Sequence, residues 1–79
     1  MDQMEMVYSD DTLFINMSGI YNSKNISKLK RKMYHVINQY GINNVVIDKK
    51  NISKIDDIAF YDMLDDYDTK YGGNLKVEE

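Results

Sequence analysis

The stretch NISKLKRKMYHVINQYGINNVVID, residues 25–48, decides the fold. Its first part repeats apolar side chains at three- and four-residue steps. Ile26, Leu29, Met33, Val36, Ile37 and Tyr40 therefore share one stripe of a helix. Ser23 or Asn25 can cap its start, because a short side-chain oxygen accepts from the orphan N–H groups of a first turn. Gly41 follows where a left-handed residue is wanted, and glycine takes that conformation without steric cost. Val45-Val46-Ile47 is too brief for a helix and apolar at consecutive positions. That pattern predicts a strand buried on both faces, in a sheet with crossover helices.

The flanks complete the architecture. Met4–Tyr8 and Thr12–Ser18 alternate, with the turn cluster Ser9-Asp10-Asp11 between them, so they predict a β-hairpin whose second strand closes at Gly19. Leu13, Ile15 and Met17 form one face of that strand. Phe14 stands on the other, which predicts cover over part of both sides. Downstream, Asp48 ends the third strand and Lys49-Lys50-Asn51 reads as a polar loop, with Ile52 and Ile55 pinning the following segment to the core. A second helical stripe begins near Asp56-Asp57, two acids that suit the positive end of a helix. It runs through Ala59 or Phe60, Met63, Leu64, Tyr67 and Tyr71, and Gly72-Gly73 stops it before a last strand, Asn74–Val77. The order is β-β-α-β-α-β: one α/β domain over residues 1–79, a small mixed sheet with helices packed against it. Each helix joins two strands of one sheet, so the pairing there is parallel and the crossovers right-handed.

Composition removes several classes of function. The chain has 79 residues and no cysteine, so disulfides, thiolate–zinc sites and thiol nucleophiles are excluded. His35 is the single histidine, which excludes a multi-histidine metal site. No apolar run approaches the roughly 20 residues of a membrane helix, and the acidic start Met1-Asp2-Gln3-Met4-Glu5 lacks the basic region of a secretory signal. The expectation is a cytoplasmic protein without membrane insertion, with the Lys, Asn, Ile, Asp and Tyr usage of a low-GC bacterium. Charge is uneven behind a net −3: residues 1–23 carry −4, residues 24–54 carry +7 and residues 55–79 carry −6. A phosphate backbone attracted to the middle block is repelled by the last, so nucleic acid is not expected. Opposed helices of opposite sign are.

No catalytic constellation emerges. His35 has no serine poised beside it, and Gly72-Gly73 precedes a strand instead of opening a helix, the wrong context for a phosphate loop. Asp62 with Asp65 or Asp66 shares a helical face, but a solvated acidic surface explains these residues more simply than a metal site. No metal, no cofactor and no enzymatic activity are expected. Seven tyrosines and six methionines suit half-buried contact surfaces.

Several strings in order resemble the STAS domain, the anti-sigma-factor-antagonist family of bacterial partner-switching systems. A strand ends in Ser18-Gly19, and Ile20–Asn25 then leads into a helix. Val45-Val46-Ile47-Asp48 follows, and Ile55-Asp56-Asp57-Ile58-Ala59-Phe60 stands where the family has its Asp-Ser-Ser-Gly-Leu-like motif. Gly72-Gly73-Asn74-Leu75-Lys76-Val77 closes the second helix in the family's manner. The resemblance places Ile58 at the regulatory serine and Asp57 at the serine before it. Isoleucine accepts no phosphoryl group, so the family's switch is expected to be absent. The chain also stops early relative to the family. What the resemblance implies is a regulatory module acting in transcription through protein–protein contact at Asn22, Ser23, Asn25, Asp56, Asp57 and Ile58. Its partner would be a kinase-like anti-sigma factor or another complex subunit, with a homodimer as the alternative. An assembly subunit of a transporter ATPase, and a small ligand-binding domain or enzyme, are the competing expectations.

Overall fold

The computed structural model describes residues 3–79; the acidic start at Met1 and Asp2 lies outside the described residues. Asp10 turns the chain with φ 56°, a left-handed conformation that aspartate tolerates better than most residues. This joins β1 (Gln3–Ser9) to β2 (Thr12–Tyr21) as an antiparallel hairpin with Ser9 opposite Thr12. Helix α1 (Ser23–Tyr40) leads to β3 (Asn44–Ile55), and α2 (Asp57–Lys70) leads to β4 (Asn74–Glu78). The sheet order is β1-β2-β3-β4, with β2–β3 and β3–β4 parallel. The β-β-α-β-α-β order and the mixed sheet are as the patterning predicts.

Both helices fall on one face, because the strand order advances in one direction and never reverses. Leu13, Ile15 and Met17 of β2 and Val45 and Ile47 of β3 are buried beneath them. They join Ile26, Leu29, Met33, Tyr34 and Ile37 of α1 and Phe60, Met63 and Tyr67 of α2 in a single core. The opposite face is uncovered among the described residues. Phe14 is 46% exposed and Val46, its partner on β3, is half-buried. The expected cover on both sides of β2 and β3 is thus corrected.

Two boundaries also differ. β2 continues past Gly19 to Tyr21, and β3 runs straight through Lys49-Lys50-Asn51, the expected loop. The ladder with β2 shifts twice, between Asn16 and Ser18 and between Gly19 and Ile20, each time with one extra residue on β3. These bulges keep polar residues in a strand, and the Asp48 carboxylate accepts from the Lys50 N–H at 2.9 Å within the first of them. Gly41 caps α1 as expected, at φ 63° and ψ 41°, with its N–H on the Ile37 carbonyl at 2.9 Å. Tyr40, expected on the apolar stripe, is half-exposed and stacks on Tyr8 at 4.3 Å between ring centres.

The basic helix and the acidic helix meet through one polar cluster. The Tyr34 hydroxyl donates to the Asp66 carboxylate at 2.6 Å, and the Lys30 ammonium lies 3.2 Å from the same oxygen. Lys70 stands over the Tyr34 ring at 5.1 Å, and the Tyr71 hydroxyl donates to Asn38 at 3.1 Å. The hydrogen bond from Tyr34, with Lys30 adding to it, holds the Asp66 carboxyl below the usual carboxylate range. Burial and the Asp66 carboxylate push the Tyr34 hydroxyl up. A depressed carboxyl contributes stability that is present above its unfolded value, about 3.9, and is lost as pH falls through its folded value. The unfolding midpoint is therefore expected to fall as the pH is taken below about 4. In Asp66→Asn that fall becomes shallower, measured by thermal melts followed by circular dichroism. An unchanged acid slope in Asp66→Asn would show that the cluster does not couple the helices.

Candidate functional site

The two helix starts are built at the carboxyl ends of parallel neighbours, with Tyr21 in register with Ile55. Asn22 caps α1 from extended backbone, φ −96° and ψ −178°, and its side-chain oxygen accepts from the Asn25 N–H at 2.9 Å. Asn25 reciprocates, its side chain accepting from the Asn22 N–H at 3.2 Å. This is a capping box with asparagine at both ends. It displaces Ser23 and Asn25 as the expected caps, because only a residue one step earlier leaves its oxygen within reach of the third helical N–H. Asp56 caps α2 in the same way, accepting from the Ala59 N–H at 3.1 Å. The Asp56 N–H donates to the Tyr21 carbonyl at 2.9 Å, which stitches the two helix-starting segments together.

Of the six residues singled out from the sequence, three are therefore engaged in capping: Asn22, Asn25 and Asp56. The same bonds set the direction of the others. Ser23, Asp57 and Ile58 are exposed beside them, and Ile58 reaches 81%, the highest value among the exposed large apolar side chains. The fold thus leaves this fully apolar side chain to solvent on the first turn of α2.

Two neighbours went unnoticed in the sequence. Ile20, 48% exposed, lines a shallow depression with Tyr21, Asn22, Lys54, Ile55 and Asp56. Alternation carried past Gly19 would have placed Ile20 opposite Tyr21 and hence outward. Lys54 gives no such signal, because the local pattern makes Ser53-Lys54 a connection where the structure continues β3. The corner therefore presents isoleucines, one base and the exposed carboxylates of Asp56 and Asp57 around two helix starts.

Among the described residues no three Asp, Glu or His side chains converge on a point that would hold a metal ion. Asp66, one of the acids weighed as a cation ligand, is turned toward Tyr34 and Lys30 of α1. Among the described residues no helix is long and apolar enough to cross a membrane.

No protein-family model matches the chain, and no curated protein sequence is significantly similar to it. Solved structures are similar in shape. The anti-sigma factor antagonist SpoIIAA in its unphosphorylated form superposes with a TM-score of 0.76 at 16% identity, over 98% of this chain and 71% of that one. An uncharacterized DUF3478-family protein from Shewanella loihica PV-4, described as having a SpoIIAA-like fold, gives 0.61 at 15% identity over 99% and 85%. A segment of the larger protein Mglu gives 0.79 at 17% identity, covering 95% of this chain but 19% of that one. With two helices on one face of a four-stranded mixed sheet and with these superpositions, the chain has the SpoIIAA-like fold that the STAS resemblance implied.

Proposed function

We infer that the chain is a non-catalytic protein-interaction module, an anti-sigma factor antagonist of the STAS type that works without a phosphorylation switch. The observation that carries the reading is Ile58: 81% exposed on the first turn of α2, at the position where the STAS resemblance puts the regulatory serine. Structures of SpoIIAA exist in both phosphorylated and unphosphorylated forms. In this chain the corresponding side chain is a hydrocarbon, and Asp57 beside it supplies one fixed negative charge in place of a reversible one. A partner that closes over the corner buries Ile58 and Ile20 and leaves Ser23, Asp57 and Lys54 on a polar rim, the usual anatomy of a protein interface.

The partner this reading names is a kinase-type anti-sigma factor from the same genome. Calorimetric titration of the two proteins is expected to show binding, and Ile58→Arg is expected to weaken it by roughly 30-fold or more, the effect of losing a central anchor. The exposed position means that Ile58→Arg keeps the wild-type melting midpoint. Equal affinity of wild type and Ile58→Arg, or no binding of wild type at all, overturns the assignment.

A further inference from the structure

β4 ends the sheet, and among the described residues nothing pairs with its outer edge. A strand edge left this way is a template for another strand. We propose that this edge pairs with β4 of a second copy, antiparallel about a two-fold axis through Val77.

The register follows from side-chain parity and charge. Directly opposed residues of an antiparallel pair lie on the same face, so a two-fold axis between identical strands has to pass through a residue and not between two. On β4 the helix-side residues are Leu75 and Val77, in register with Val45 and Ile47. The open-face residues are Asn74, Lys76 and Glu78, beside Asn44, Val46 and Asp48. An axis at Lys76 sets two ammonium groups against each other. An axis at Leu75 spends Lys76 on Asn74 and leaves Glu78 beyond the pairing. An axis at Val77 sets Lys76 of each copy opposite Glu78 of the other, two complementary pairs on one face, with Val77 against Val77 on the other.

Neither charge is well served inside one copy. The neighbour of Glu78 across the sheet is Asp48, a like charge, and its own Lys76 is 3.9 Å away, at the limit of an ion pair. The Lys76 side chain is 73% exposed. The remaining edge, β1, carries Glu5 and no base over its whole length, so self-pairing there finds no such complement. Beside β4 lies an open groove lined by Leu64, Tyr67, Asp68 and Leu75. The Tyr67 hydroxyl, buried there, has no hydrogen-bond partner among the described residues.

Sedimentation equilibrium at low salt, from about 10 μM to about 1 mM, tests this. The mass is expected to rise from 9.3 kDa toward twice that value. Lys76→Glu and Glu78→Lys are each expected to weaken association by more than about tenfold, since each places like charges at both pairs. An equimolar mixture of the two variants is expected to recover the dimer, because every acid then faces a base again. Wild type that stays monomeric over this range overturns the proposal. So do a dimer insensitive to both reversals and a mixture that does not recover. The edge lies apart from Ile58, so loss of dimer in the charge-reversal variants with anti-sigma binding retained supports this pairing without touching the assignment of the corner.

Discussion

Phe60→Ala lowers the unfolding free energy by about 3–5 kcal/mol, the cost of emptying a fully buried aromatic site. Phe60 is 0% exposed and sits on the first turn of α2, its N–H donating to the Asp56 carbonyl at 3.0 Å. Its ring also lies under the Lys49 ammonium at 5.0 Å, and that lysine side chain is 11% exposed. Removing the ring leaves a cavity and takes the aromatic surface away from a nearly buried cation. A domain of this size holds only about 5–10 kcal/mol in all, so the variant is expected to lose a large share of its stability. The melting midpoint should fall by roughly 15–30 °C. Phe60→Leu, which keeps most of the volume, should cost less than about 1.5 kcal/mol. Urea titrations of both variants check this, and a loss of under about 1 kcal/mol in Phe60→Ala would mean that the first turn of α2 is not anchored by the core. The result bears on function, because the ring that holds this turn down is the reason Ile58, two residues earlier, points out.

Gly73→Ala is expected to cost about 2–3 kcal/mol, near the upper end for forcing extra atoms into a packed site. A Cβ at Gly73 would stand 2.5 Å from the Tyr67 hydroxyl and 2.7 Å from the Asn43 carbonyl oxygen. The second of these is backbone, and it already accepts the Asn74 N–H at 3.0 Å, the bond that sets β4 beside β3. Neither group can retreat cheaply, since Tyr67 is buried in the core. The melting midpoint should drop by roughly 8–20 °C. Gly72→Ala separates space from conformation. Its Cβ would meet nothing closer than 3.8 Å, but its φ of 62° charges a left-handed penalty of about 1 kcal/mol. Equal effects at the two positions would mean that close approach is not what Gly73 is for.

Much of this molecule is legible locally. The stripe Ile26, Leu29, Met33, Ile37 and the glycine after Tyr40 bound α1 because side-chain period and terminal conformation are properties of a few neighbouring residues. Asp56 beside an apolar stripe marks the start of α2 for the same reason. Lys49-Lys50-Asn51 misleads because turn preference is also local, while β2 supplies ladder partners from thirty residues away in the chain. The corner was legible in part. Ile58, Asp56 and Asp57 were found through the family resemblance. Ile20 and Lys54 were not, since their exposure follows from a strand that the local pattern cut short.

Helix positions, strand alternation and the β-β-α-β-α-β order are written in runs of ten or twenty amino acids, where periodicity and caps act over one or two turns. Which face of the sheet stays bare, which strand becomes an edge, and that Tyr34 reaches Asp66 were settled only when distant segments packed. Those outcomes depend on the order in which strands lie side by side, and no short window of sequence contains that order.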